Sequence, residues 1–404
     1  MNPASSVGGL WTQFDGSMVG HCHVNLDNFV QTHKKASVYI LSHLHEDHCK
    51  GLSSDSFSYL LQNQSKVTFL CHPVTYQLML GFPKYRHLAK YTTVLDYCSS
   101  KTVNVYCPDT WKLAYNLEVV FFDARHCPGS VMVLLQSGDK RSLYTGDFRD
   151  PWVDGYCFEG LDAVYLDTTF ALAPKRYFPS RAASLEAIYE LALQCLGDPT
   201  GLFHLEFPCN LGYEEILTDL SCRFGTKIHL AESQFQLYKN VPYLQNLGYF
   251  GKSQGDCPQG RVHASFGRPG LKGSMVSKMG CGCPIDQSVM TVRISAQRFL
   301  TDGTRDIQLV QKLGPNKWGV FYSFHCSPDE LEVFLVGVKP GQIVSTVFHP
   351  KPEAKRSLGE KLKRFVSTKE SDQPALLGQL KVWRKEKTVV EPTSSDEELD
   401  FGEN

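Results

Sequence analysis

The chain has 404 residues, 42% of them hydrophobic, and a formal net charge of −1 at pH 7; that length predicts two domains with an ordinary share of core-forming residues. No run approaches eighteen apolar residues, and Met1 to Ser17 has neither a basic start nor an apolar middle, which excludes a helical membrane span and a secretory signal and predicts an intracellular protein. The charge is unevenly placed: residues 391–404 hold Glu391, Asp396, Glu397, Glu398, Asp400 and Glu403 with no Lys or Arg, so residues 1–390 carry about +5 and an acidic balance does not exclude a nucleic-acid partner.

After a loose Gly/Ser-rich start, His21 to Val30 reads as strand-like and holds Asp27, a carboxylate placed to lean on the second nitrogen of a metal-bound histidine. Residues 36–51 follow, a short apolar strand from Val38 to Leu41 running into a tight loop with His43, His45, Asp47 and His48, closed by Gly51. Imidazole and carboxylate at this density suit Zn²⁺ and its neighbours, and the spacing faces two adjacent points. Two metals about 3.5–4 Å apart clamp the attacking and the leaving oxygen of a phosphodiester.

Strands are predicted at Val67 to Cys71, Glu118 to Asp123, Val131 to Gln136, Ser142 to Thr145 and Ala163 to Asp167. Candidate ligands lie at strand ends here too. His126 stands in Asp123-Ala-Arg-His-Cys-Pro-Gly129, Asp147 follows Tyr144-Thr-Gly, and Asp167 precedes Thr168-Thr169. Ligand sites of layered α/β folds collect at such termini. Helix and strand then alternate: a helix at Leu185 to Leu196, a strand at Leu202 to Phe207, a helix at Tyr213 to Arg223, a strand at Thr226 to Leu230 and a helix at Gln234 to Leu247. Gly248 to Gln287 reads as loop-rich and contains Cys281-Gly-Cys283. Strands return at Val289 to Ser295 and Trp318 to Phe324, with His325 at the end of the latter. Ser327-Pro-Asp-Glu330 is a capping box with Pro at the first helical position, so a helix to Val338 starts directly behind that histidine. A strand at Ile343 to Val347 and a helix at Glu353 to Phe365 end the folded part. Lys175, Arg176 and Arg181, and Arg261, Arg268, Lys272 and Lys278, read equally as phosphate contacts or as a solvated surface. The fourteen cysteines are spread through a large chain, and most, such as Cys71 and Cys195, read as buried thiols rather than disulfides.

These motifs, in this order, resemble the metallo-β-lactamase-type nucleases with a β-CASP insertion, and among them the Artemis-type DNA cross-link-repair group, over most of residues 20–365. The resemblance implies an α/β fold, a metallo-β-lactamase αββα sandwich with an inserted β-CASP α/β domain. Its parts would be residues 1–170 and 319–366 for the sandwich, 171–318 for the insertion, and 367–404 for a linker and disordered acidic tail. It places the family's first motif on Asp27, its HxHxDH on His43, His45, Asp47 and His48, and its third and fourth on His126 and Asp147. The β-CASP motifs fall on Asp167, His325 and Val347, and family members with Val at the last of these act on DNA. One or two catalytic Zn²⁺ are implied, with Mg²⁺ or Mn²⁺ as further supporting ions. His43, His45 and His126 would hold one metal and Asp47, His48 and His325 the other, Asp147 would bridge, Asp27 and Asp167 would orient ligands, and His325 could instead protonate the leaving oxygen. A structural zinc of the insertion would use His229 and His263. Ser265 stands where the next Cys is expected, so either Cys281 and Cys283 complete that site or it is lost.

The implied function is a nuclear, monomeric DNA endonuclease acting at hairpins, overhangs and single-strand/double-strand junctions alongside end-joining repair proteins. The alternative is a 5′-phosphate-dependent exonuclease of the Apollo type. Such members resemble YSxGKE, and this chain has Tyr213 in place of the Lys.

Overall fold

In the computed structural model the described residues are 14–30, 36–150, 158, 160–249, 260–267, 279–283, 285, 288–301 and 306–367, with the backbone of Leu10–Trp11. The linker and acidic tail, with Arg268, Lys272 and Lys278, lie outside them.

Three sheets organise these residues. The first has strands Ser17–Met18, His21–Leu26, Val38–Ile40, Thr68–Cys71 and Thr92–Val94 side by side, parallel apart from the first pair. The second runs in the order Leu10–Trp11, Ile343–Ser345, Ala163–Leu166, Lys140–Tyr144, Val131–Ser137, Leu113–Asp123, Ser100–Tyr106. Side-chain alternation decides how they stack. Phe121, Val131, Val133 and Leu135 of the second sheet share one buried cluster with Val24, Leu26, Val38 and Ile40 of the first. Their neighbours Phe122, Met132 and Leu134 point the other way, onto Phe334, Leu335, Leu358 and Leu362 of helices Pro328–Val338 and Pro352–Lys363. On the far side of the first sheet, Phe29, Tyr39 and Phe69 meet Phe57 and Leu78 of helices Asp55–Asn63 and Pro73–Gly81. Helix, sheet, sheet and helix are thus layered as αββα.

The third sheet interrupts this sandwich. Its order is Gly248–Tyr249, Ile228–His229, Val262–Phe266, Leu202–Phe207, Val289–Ile294, Lys317–Val320, all parallel, with Val310–Gly314 antiparallel at the edge. Helices Arg181–Leu196, Glu214–Phe224 and Glu232–Tyr238 accompany it, as parallel crossovers require. This is the inserted β-CASP α/β unit. Its core of Phe203, Leu205, Ile188 and Leu217 is continuous with the helical layer over the first sheet.

Several elements differ from their sequence reading. The helix expected at Gln234 to Leu247 stops at Tyr238, because Pro242 has no N–H to donate and disfavours helical backbone at Val241. Val262–Phe266 was hidden in a stretch read as loop-rich, yet it is an inner strand pairing with Leu202–Phe207 and Ile228–His229. The strand read as Trp318 to Phe324 leaves the ladder at Val320, and irregular backbone carries the chain on to His325. The capping box at Ser327 and Glu330 is present in full, with both reciprocal hydrogen bonds.

Arg149 locks the His325 loop to the second sheet. Its buried guanidinium donates to the carbonyls of Ser323 at 2.8 Å and Pro179 at 2.9 Å and pairs with the capping-box Glu330 at 3.3 Å. Arg149→Met is expected to cost about 3–5 kcal/mol, since Glu330 and two carbonyls lose their partner together. Urea unfolding with an unchanged m-value reads this, and a loss under about 1 kcal/mol would contradict it.

Candidate metal centre

The first sheet delivers its ligands through a loop the sequence leaves little freedom. Val38, Tyr39 and Ile40 are fully buried, so the chain can turn only after them, and the loop ends in a single 3₁₀ turn at Glu46–His48. At Gly51 (φ 79°) a Cβ would sit 2.7 Å from the Val30 nitrogen, which ties the loop's exit to the strand bearing Asp27 and requires glycine. Asp27 itself takes a left-handed φ of 53°, a conformation tolerated by Asp, and this turns its carboxylate into the site. At the end of Leu113–Asp123, Gly129 (φ 76°) closes a turn against the Thr75 backbone. Within that turn the Ser130 hydroxyl accepts from the amides of His126 and Cys127.

Five imidazoles converge, and each has one nitrogen already engaged by an oxygen. His43 Nδ1 lies 2.9 Å from the Ser42 hydroxyl, which itself donates to Asp27 at 2.5 Å. His45 Nε2 faces the Leu211 carbonyl at 3.1 Å, and His126 Nδ1 the Phe324 carbonyl at 3.0 Å. His48 Nδ1 faces Asp27 at 2.7 Å, and His325 Nδ1 faces Asp167 at 2.8 Å. An acceptor fixes the proton on the outer nitrogen, leaving the lone pair on the inner one.

The inner nitrogens meet. His45 Nδ1 is 3.1 Å from His43 Nε2 and 2.9 Å from His126 Nε2. Three lone pairs this close repel one another without a cation between them, and tetrahedral Zn–N bonds of about 2.0–2.1 Å put ligand nitrogens about 3.3 Å apart. The donor set fits zinc. Burial, reinforced by the neighbouring imidazoles, holds His43 and His126 well below the ordinary histidine range, so both are neutral ligands at neutral pH.

Asp147 is the hub of the second cluster. One oxygen is 3.3 Å from His48 Nε2; the other is 3.6 Å from His126, 3.8 Å from His43 and 3.9 Å from His325. Asp147 groups with His126 and His325 on one side and with Asp47 and His48 on the other. Asp47 is the most open member: its side chain is 78% exposed and reaches His48 Nε2 only at 3.7 Å. Burial opposes a charged His48 and His325, but the carboxylates of Asp147, Asp27 and Asp167 outweigh it and raise both.

Partners the sequence reading did not single out complete the shell. Ser42 and the Tyr144 hydroxyl both donate to Asp27. The carbonyls of Leu211 and Phe324 have no side-chain signal at all. Leu211 belongs to a loop held by the buried Glu214, which accepts from the Gly212 amide and the Tyr238 hydroxyl, each at 2.8 Å. Burial raises the Glu214 carboxyl to about 7, against the pull of those hydrogen bonds. A raised carboxyl stabilises the fold fully below its unfolded value of 4.5 and loses that stability as pH rises through about 7. Glu214→Gln is therefore expected to match the wild type near pH 4.5 and to exceed it by about 3 kcal/mol above pH 7. Urea midpoints at the two pH values check this; equal differences at both would contradict it.

The four residues of the second metal reading also come together. The donor atoms of His229, His263, Cys281 and Cys283 all lie within 4.8 Å of one another. Cys281 Sγ is 3.4 Å from His263 Nδ1, and Cys283 Sγ is 3.6 Å from His229 Nδ1. Burial lowers His263 to about 4, keeping it neutral. Ser265, in the position of the expected Cys, accepts instead from the Gly280 amide at 2.6 Å and thereby anchors the loop that carries both thiols. Two soft thiolates and two imidazoles, three of the four residues buried and Cys281 partly so, suit a structural Zn²⁺.

Other expectations need correction. Lys175 is buried and donates to the Asp306 carbonyl. Arg176 is engaged by Asp329 and Glu332, Arg181 by the Arg125 carbonyl, Glu215 and the Tyr322 ring, and Arg261 by the carbonyls of Leu196 and Asp198. Lys175, Arg181 and Arg261 are held by the fold, while Arg176 stays 57% exposed at the surface. Tyr213, which stands in place of the Lys expected of the 5′-exonuclease members, is buried and stacked on Phe207 at 4.5 Å. Val347 is half-buried, and His349 beyond it faces the Thr168 hydroxyl at 3.2 Å.

Residues 227–351 match the family described as DNA repair metallo-beta-lactamase. Protein artemis of Mus musculus is 29% identical over 351 residues, covering 83% of this chain and 48% of the relative. Protein artemis of Homo sapiens is 28% identical over 408 residues, covering 96% and 56%. DNA cross-link repair 1A protein of Homo sapiens is 26% identical over 324 residues, covering 74% and 29%. The chain spans about half the length of the artemis relatives it matches. Layered fold, motif order and relatives agree: the chain is related to the Artemis-type DNA-repair metallo-β-lactamases.

Proposed function

We propose that this protein is a metal-dependent DNA endonuclease hydrolysing phosphodiesters at hairpins, overhangs and single-strand/double-strand junctions, in the nucleus, as a monomer, alongside end-joining repair proteins. Residues 171–318 would be its β-CASP insertion. The observation that carries the reading is the convergence of inner lone pairs from His43, His45 and His126 beside Asp147, each histidine fixed from outside by an oxygen. Zn²⁺ held there, one ion or two, with Mg²⁺ or Mn²⁺ as further support, supplies a Lewis acid and a water acidified toward neutral pH.

The chain's own residues do the rest. His43, His45 and His126 hold one position, Asp47, His48 and His325 the other, and Asp147 faces both. Asp27 keeps His48 and, through Ser42, His43 in the ligating tautomer; loss of such an outer partner typically costs 10–100-fold. Asp167 orients His325, whose Nε2 faces the same space as ligand or as proton donor to the departing sugar oxygen. His229, His263, Cys281 and Cys283 hold a further zinc that ties strands of the insertion together.

The 5′ end is the discriminating variable. The reading expects overhangs ending in 5′-phosphate, 5′-hydroxyl or a blocked 5′ terminus to be cut at similar rates, because Tyr213 gives no cation for a terminal phosphate. Strict dependence on the 5′-phosphate would replace it with the Apollo-type exonuclease reading.

A further inference from the structure

We propose that Phe348, backed by Lys355, is a stacking platform for an unpaired nucleobase of the DNA strand whose phosphodiester lies at the metal centre. The proposal rests on the nuclease reading above and adds the residue that would grip the unpaired strand.

Phe348 is 58% exposed. A phenyl ring has no polar handle, and leaving it in water forgoes about 1.5–3 kcal/mol of burial. Its position is not casual. The loop that carries it leaves strand Ile343–Ser345, which pairs with Ala163–Leu166, the strand leading to Asp167. On one side of the ring, the Thr346 amide and hydroxyl both donate to the Leu166 carbonyl at 3.0 Å. On the other, His349 Nε2 meets the Thr168 hydroxyl at 3.2 Å, and that hydroxyl lies 2.6 Å from Ser345 Oγ. The exposed ring therefore hangs from a loop pinned at both ends to the residues flanking Asp167, the partner of His325. A platform held this way loses little freedom when a base settles on it.

The charge beside the ring fits the same occupant. Lys355 Nζ stands 5.2 Å from the Phe348 centroid, and its charge, after burial, also lowers His349, so an ammonium stands near both the ring and its neighbour in the loop. A cation over one face leaves the other for a base, while the ammonium can meet the adjoining phosphate. A duplex base already has stacking partners on both sides, whereas a base of an overhang or hairpin tip does not. The platform thus favours single strands at the cut.

The test uses full-length protein carrying Asp147→Asn, so that DNA can bind and is not cut. Affinity is measured for a duplex with a single-stranded overhang and for the blunt duplex, with 2-aminopurine in the overhang reporting stacking. Phe348→Ala is expected to weaken overhang binding about 5- to 100-fold and abolish the 2-aminopurine quenching, with blunt duplex unchanged and Phe348→Trp close to the parent. Lys355→Ala should reduce the salt slope by about one phosphate contact. Unchanged overhang affinity in Phe348→Ala, or an equal loss on blunt duplex, overturns the platform. If the parent binds no DNA and the protein without Asp147→Asn cuts none, the nuclease reading fails first, and the two failures stay distinct.

Discussion

Asp147→Asn is expected to lower DNA cleavage by about 10³-fold or more while leaving the fold intact. Among the described residues its Oδ2 is the one carboxylate oxygen within 4 Å of the inner nitrogens of His43, His126 and His325, while its Oδ1 faces His48. An amide keeps the shape but loses the charge that would hold two cations side by side. Metal ions contribute several kcal/mol of charge stabilisation to phosphodiester cleavage, and about 4 kcal/mol corresponds to the expected factor. The sandwich core does not depend on this side chain, so the thermal midpoint of the metal-free protein should stay near the wild type. Active-site metal per chain should fall. A variant retaining a tenth of the activity would remove Asp147 from the centre of the chemistry.

The other large effect concerns stability. Replacing both Cys281 and Cys283 with Ser is expected to remove one tightly held zinc per chain and to destabilise the insertion by more than about 5 kcal/mol, because binding energy at a structural site is folding energy. The ligands span separate segments: His229 lies on Ile228–His229, His263 on Val262–Phe266, and both thiols on the loop anchored by Ser265. Each single variant should lose part of the same zinc. Elemental analysis after exhaustive dialysis gives the stoichiometry, and urea unfolding with and without chelator gives the coupling. A double variant with unchanged zinc content and unchanged unfolding would contradict a metal at these four residues.

The candidate metal-site side chains were legible because ligand chemistry restricts residue type and strand ends restrict position. His43, His45, His48, His126, Asp147 and His325 satisfy both restrictions, and the structure brings them to one place. What held them was harder to read. Two of the five outer partners are main-chain carbonyls, Leu211 and Phe324, which any residue could supply. Arg149, far from apolar patterning, ties the His325 loop from within the core. Val262–Phe266 escaped notice because an inner parallel strand need not alternate and its neighbours are rich in glycine and proline. The basic clusters were hard to read for a different reason: sequence gives a charge but not its partner, and Lys175, Arg181 and Arg261 are held by protein groups while Arg176, 57% exposed, pairs with Asp329 and Glu332 at the surface.

Cleavage of a covalently closed DNA hairpin, which offers no free 5′ end near its tip, tests the central claim most directly. Purified wild-type protein with Zn²⁺ or Mg²⁺ should open the hairpin at or near the tip, and Asp147→Asn should not. Intact hairpins beside rapid digestion of linear strands bearing a 5′-phosphate would contradict the account, showing that the same metal centre serves an exonuclease despite the buried ring of Tyr213.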